Sequence, residues 1–182
     1  QRTLTIEEIY DADQRVEFSG RTPTGLTWLS GTRYLQRERD PARLFSVDAD
    51  TGATESLVDL DELEMALAAV PGMGNAAARR AARSGRFVWN SDHTGLVMAI
   101  SNDLYYFGVN EGDGSGAARV RRLTRDPAEE RMPTFSPDGA LVAFVRDHNL
   151  VVVNVDHRRE WALTRDGHAD LLRGELDWVY QE

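Results

Sequence analysis

The chain reads as all-β, an incomplete β-propeller of about three four-stranded blades with a small helical insert, and three observations predict it. First, Leu123-Thr124-Arg125-Asp126 and Leu163-Thr164-Arg165-Asp166 close two self-similar stretches and lie 40 residues apart. Second, each stretch divides into four strand-sized pieces, and a ~40–50-residue period of four strands is what one propeller blade requires. Third, Ser136-Pro137-Asp138-Gly139 carries a turn mechanism. Proline presets φ, aspartate offers a side-chain hydrogen bond, and glycine accepts positive φ.

Each element follows in order. Thr5 before Ile6-Glu7-Glu8-Ile9-Tyr10 predicts a short helix within a lead-in segment, residues 1–23. A first, divergent blade occupies 24–59. It begins at Leu26-Thr27-Trp28-Leu29-Ser30, runs through Arg33–Arg37 and Ala42–Val47, and turns at Asp48-Ala49-Asp50-Thr51-Gly52. Residues 60–86 are not β. Leu60, Leu63, Leu67 and Val70 recur at helical spacing behind Asp59 and Glu62, which are placed like a capping box, and Pro71-Gly72 ends the helix. Asn75 is expected to cap a second, Ala/Arg-rich helix that stops at Gly85. The pair reads as a helical hairpin inserted in the outer part of a blade. Blades then follow at 87–126 and 127–166, and 167–182 begins the next.

Composition narrows the function. Net charge is −9, which argues against a phosphate-binding surface and so against nucleic acid as a partner. All 21 basic residues are arginine, a bias expected of a GC-rich bacterial genome. Cysteine is absent, which excludes a disulfide framework, a thiol nucleophile and a Cys-zinc site. No apolar run approaches the ~20 residues of a membrane span, and no signal peptide is visible.

Chemical motifs are few. No Gly-x-Ser-x-Gly elbow occurs, and Gly112-Asp113-Gly114-Ser115-Gly116 misplaces its serine and reads as a hairpin tip. His93, His148, His157 and His168 are scattered on turns without metal-ligand spacing. Asp48–Gly52 sets its glycine one position early for a calcium loop and is read as a plain turn. Gly72-x-Gly74 lacks the strand and the later glycine of a dinucleotide site. No cofactor and no metal is expected.

The most informative block is Gly174-Glu175-Leu176-Asp177-Trp178-Val179-Tyr180-Gln181-Glu182. It resembles Gly-x-x-Asp-Trp-Val-Tyr-x-Glu-Glu of the dipeptidyl peptidase IV family, in the prolyl oligopeptidase superfamily. Thr3–Tyr10 is similar to that family's opening segment, and Leu26–Ser30 with Tyr34-Leu35 to its first blade. The helical insert resembles that of bacterial members.

The resemblance implies a serine exopeptidase that releases Xaa-Pro or Xaa-Ala dipeptides from peptides with a free N-terminus. Glu182 matches the first of the two glutamates that bind the substrate's N-terminal ammonium, with Trp178 and Tyr180 as its supporting neighbours. A carboxylate in a water-poor cavity suits that task, because it makes a charge-assisted bond to R-NH₃⁺. Asp177 is expected to be a structural acceptor. Arg79, Arg80 and Arg83 could contact the substrate backbone, though a solvated helical face is the better reading of them.

The serine, aspartate and histidine would lie in an α/β-hydrolase domain beyond residue 182, so the chain alone is expected to be inactive. About three blades cannot close a ring, and bare strand edges predict self-association. Location in the periplasm, or secretion, is expected from bacterial relatives, with the cytoplasm as the other possibility. Two other readings stand beside this one: a non-catalytic propeller-like protein-binding module, and the propeller of another oligopeptidase of the superfamily.

Overall fold

Among the described residues three antiparallel four-stranded meanders follow one another, each with its strands in sequence order. The computed structural model describes residues 5–10, 26–39, 42–109 and 119–175. The first sheet is β1 (Thr27–Trp28), β2 (Arg33–Arg39), β3 (Ala42–Asp48) and β4 (Thr54–Asp59). The second is β5 (Val88–Trp89), β6 (Gly95–Ile100), β7 (Asp103–Gly108) and β8 (Val120–Arg122). The third is β9 (Glu130–Phe135), β10 (Leu141–Arg146), β11 (Asn149–Asn154) and β12 (Glu160–Ala162). Among the described residues α1 (Ile6–Tyr10) precedes the first sheet, and α2 (Leu60–Ala68) and α3 (Asn75–Ser84) stand between the first and the second.

The repeat seen in the sequence is a repeat of hydrogen bonds. In the third sheet the Asp138 carboxylate accepts from Ala140 N at 3.1 Å and from the Ser136 hydroxyl, and Gly139 takes φ +72°. In the second, Asp92 accepts from Thr94 N and its hydroxyl, and His93 stands at the left-handed position with φ +59°. The Leu-Thr closures act as latches. Thr124 Oγ1 accepts from Leu104 N at 2.9 Å, and Thr164 Oγ1 from Leu150 N at 2.9 Å. The preceding leucines, Leu123 and Leu163, each donate their N–H to the carbonyl of the same Leu104 or Leu150, at 2.8 Å. Each hydroxyl thereby satisfies a backbone donor that the short fourth strand leaves without a ladder partner.

The sheets stack through alternate side chains. In the second sheet Leu96, Met98, Tyr105 and Phe107 face one core, while Val97, Leu104 and Tyr106 face the other. That two-sided burial explains why β7 is buried along its whole length. The third sheet answers with Val142, Phe144, Val151 and Val153. Each such buried side chain contributes about 1.5–3 kcal/mol. β9 packs on β5, β6 and β7, and the turns after β5 and β9 touch, with Ser91 Oγ donating to Pro137 O at 2.7 Å. At the far strands the two sheets separate around a cleft of about 430 Å³ lined by Arg122, Thr124, Arg158 and Glu160. Sheets that converge on their first strands and splay at their fourth are radial blades: the architecture is an incomplete propeller.

The helical insert differs from expectation in two ways. It packs between blades, not on the outer part of one: Leu60, Leu63 and Leu67 are fully buried in the core that joins Leu44 and Val58 to Leu96 and Phe107. The N-cap of α3 is Gly74, with no side-chain bond, and Asn75 is already its first helical residue. The Asp59 cap of α2 is as expected, accepting from Asp61 N at 2.9 Å and Glu62 N at 3.2 Å. Glu62 sends its carboxylate to Arg119 of the second blade instead of back to the cap. At α1 the capping is reciprocal, with Glu8 N bonded to Thr5 Oγ1 at 3.2 Å and Thr5 N to Glu8 Oε2 at 3.1 Å.

Candidate functional site

Glu182, Trp178 and Tyr180, the residues expected to form the site, lie outside the described residues, as do Asp177 and the Gly112–Gly116 run. What the structure describes is the chain that leads to them and the blade on which it rests.

That blade carries an irregular first strand. Arg131 pairs with Val145 and Thr134 with Ala143, so Met132 and Pro133 together face Phe144. This is a β-bulge. Met132 takes φ +54°, inside a strand and before a proline, and half its surface is exposed. Non-glycine residues in this conformation carry a strain of order 1 kcal/mol, held here by the flanking pairs.

Just before the bulge the two charges diverge. Glu130 points inward, its side chain wholly buried, and receives Arg146 Nε at 3.1 Å and the Thr124 hydroxyl. Burial pushes the Glu130 carboxyl up, against the bonds from Thr124 and Arg146. Arg146 also grips Glu160 on β12 at 2.7 and 2.9 Å, which with Glu130 holds its own proton more firmly than usual. This network ties the latch of one blade to the first strand of the next.

Arg131 turns the other way and binds Glu175 Oε1 at 2.9 Å. The same oxygen meets His148 Nδ1 at 3.2 Å, from the β10–β11 turn, where His148 has φ +61°. The Glu175 side chain is 7% exposed, against 41% for Arg131 and 37% for His148. Two neighbours complete the contact. Arg173 N donates to His148 O at 3.0 Å, and Gly174, at φ +83°, leaves 3.1 Å between the place of a Cβ and Val145. Residues 173–175 are thus pressed onto the third blade at three successive positions.

Other candidates resolve into structural contacts. Arg83 binds Asp61 and, at 3.3 Å, Glu64, and Arg79 approaches Glu64 at 3.5 Å, so both staple α3 to α2. Asp48 accepts from Asp50 N, Thr51 N and the Thr51 hydroxyl, and the last of these holds its carboxyl below the usual range. A polar cleft of about 440 Å³ opens between the first two blades, where Arg33 is already bound to Glu55 and Ser46. Among the described residues no group of three or more His, Asp or Glu could hold a metal ion. Among them, too, no helix is long and apolar enough to cross a membrane.

Sequence reasoning missed both the Glu130–Arg146–Glu160 network and the Glu175 contact. A charged residue at one end of each of two successive strands, Glu130 opening β9 and Arg146 closing β10, was the available signal for the first. Glu175 had none, since a carboxylate after a glycine reads as solvated.

Radial blades of four antiparallel strands, with a helical hairpin between the first two, place the chain among the β-propellers. Residues 98–182 match the model of the "Dipeptidyl peptidase IV (DPP IV) N-terminal region". A stretch of 52 residues is 44% identical to the probable dipeptidyl-aminopeptidase B of Arthroderma gypseum, covering 29% of this chain and 6% of that protein. The dipeptidyl-aminopeptidase B of Aspergillus niger is 42% identical over 52 residues, with the same coverage. The crystal structure of Porphyromonas gingivalis dipeptidyl peptidase 4 superposes with a TM-score of 0.58 at 22% identity, covering all of this chain and 25% of that one. That likeness bears on the fold. The chain therefore spans a small part of the length of the relatives it matches.

Proposed function

We propose that this chain is the non-catalytic propeller part of a dipeptidyl peptidase IV-like serine exopeptidase. In this reading the whole protein releases Xaa-Pro or Xaa-Ala dipeptides from peptide N-termini. The blades wall off the active site, and Glu182 receives the substrate's ammonium, with Trp178 and Tyr180 supporting it. The observation that carries the reading is that the family match runs from residue 98 to residue 182 and so takes in the Asp-Trp-Val-Tyr-Gln-Glu block. Relatives named as dipeptidyl-aminopeptidases support it.

The geometry asked of Glu182 is physical. A fixed carboxylate pairs with R-NH₃⁺ and, being a set distance from the nucleophile, measures two residues from the N-terminus. The nucleophile, base and aspartate belong to an α/β-hydrolase domain outside these residues. The same reading divides the chain into a lead-in segment (1–23), blades at 24–59, 87–126 and 127–166, an insert at 60–86 and the start of a further blade from 167. It places the protein in the periplasm or outside the cell.

The test is turnover of a Gly-Pro chromogenic substrate by the full-length protein, beside its N-acetylated counterpart. Cleavage of the free amine alone is expected, and Glu182→Gln should lower kcat/KM on the order of 10–100-fold, the worth of a hydrogen bond to a charged group. Equal cleavage of the acetylated substrate, or no effect of Glu182→Gln, overturns the assignment. Residues 1–182 alone should give no turnover, and light scattering should find them self-associated.

A further inference from the structure

We propose that Glu175 is a positioning residue for substrate recognition, acting through the segment that follows it. This rests on the reading of Glu182 given above. The Glu175 carboxylate is the most buried member of its cluster, yet it sits on a connection between blades, where a solvated side chain would serve. Its two partners come from different elements of the third blade: Arg131 from the bulged first strand, and His148 from the β10–β11 turn.

The backbone on its N-terminal side is equally constrained. Arg173 N is bonded to His148 O, and Gly174 meets Val145 and Leu150 where any Cβ would need 3.1–3.2 Å. Only glycine accepts both that crowding and φ +83°. Glu182 is seven residues further along, within about 25 Å of this point however the intervening chain runs. Anchoring Glu175 fixes one end of that short tether. Releasing it costs nothing in the chemistry but disperses the position of the ammonium-binding carboxylate.

A group misplaced by about 1 Å from a distance can lower catalytic efficiency on the order of 100-fold. Here the loss falls on binding, because the ammonium is held alike in the ground state and the transition state.

The experiment uses the full-length protein, with Glu175→Ala, Glu175→Gln and Arg131→Met each assayed on a Gly-Pro chromogenic substrate. Glu175→Ala and Arg131→Met are expected to raise KM by about tenfold or more with kcat within about threefold, since uniform binding is what is lost. Combining these two should be no worse than Glu175→Ala alone, because Arg131 acts through Glu175. Glu175→Gln, which can still accept from Arg131, should fall between wild type and Glu175→Ala and remain folded if Glu175→Ala does not. A KM unchanged in folded Glu175→Gln and Arg131→Met, or a fall in kcat alone, overturns the proposal while leaving the role of Glu182 standing. Absence of turnover by the wild-type protein overturns both.

Discussion

The guanidinium of Arg146 reaches across from β10 to the carboxylate of Glu130, which has no exposed side-chain surface, and the same group holds Glu160. Because Thr124 also donates to Glu130, the pair connects one blade's closing latch to the next blade's first strand. Ion pairs at this depth repay their desolvation only when every partner is in place.

Removing the cation alone should therefore be costly. Arg146→Met leaves Glu130 buried and uncompensated, and is expected to lower the free energy of unfolding by about 3–5 kcal/mol. The double variant Glu130→Leu/Arg146→Met should recover much of that loss. Urea unfolding of the three proteins measures both quantities. A double variant no more stable than Arg146→Met would show that the charge is not what makes the single change costly.

The two latch threonines should differ in weight. Thr124→Val strands the buried N–H of Leu104 and removes a donor from Glu130, a loss of about 1–3 kcal/mol. Thr164→Val exposes the N–H of the half-buried Leu150 to water and should cost less. Hydrogen exchange at the Leu104 and Leu150 amides reports each latch directly. Equal costs would mean that burial is not what sets them apart.

Gly95 is a packing glycine. A Cβ there would stand 2.3 Å from the Tyr106 hydroxyl and 2.5–2.6 Å from its ring carbons, and that side chain is itself buried. Gly95→Ala must displace the ring and is expected to destabilise by about 1–3 kcal/mol. Tyr106→Phe would not relieve it, since two ring carbons remain at 2.5 and 2.6 Å once the hydroxyl is gone. Thermal unfolding of Gly95→Ala beside the wild type is the measurement, and an unchanged midpoint would contradict the packing assignment.

Acid should loosen the blade turns. The hydroxyl of Ser136, then Ala140 N, holds the Asp138 carboxyl below its ordinary value of 3.8, and Thr94 does the same for Asp92. Each carboxylate is depressed in the folded state, so its stabilisation is full above pH 3.8 and is lost as pH falls through the lower folded value. Asp138→Asn should flatten the loss of stability as pH falls below 3.8. A slope identical to wild type would show that the turn does not contribute.

How much of this was legible follows from where each interaction lies in the chain. The Leu-Thr-Arg-Asp repeat was visible because the same latch closes the second and third blades, and it brings Thr124 to Leu104 and Thr164 to Leu150 across a single sheet. The Ser-Pro-Asp-Gly turn closes within six residues, so its residue types suffice to specify it. The cap of α3 was misplaced by one residue because Asn75 and Gly74 are both acceptable caps, and local propensity does not choose between them.

The sequence by itself determined the described blades: their number, the order of their strands and the turns between them. These are set by period, alternation and turn chemistry, all of which act over a few residues. Only the tertiary structure decided that the helical hairpin fills the space between two sheets, that Glu130 is buried with Arg146, and that Glu175 is clasped by Arg131 and His148. The reason is desolvation. A charged side chain looks the same in sequence whether water or an arginine forty-four positions away satisfies it, and the choice is made when distant strands come together.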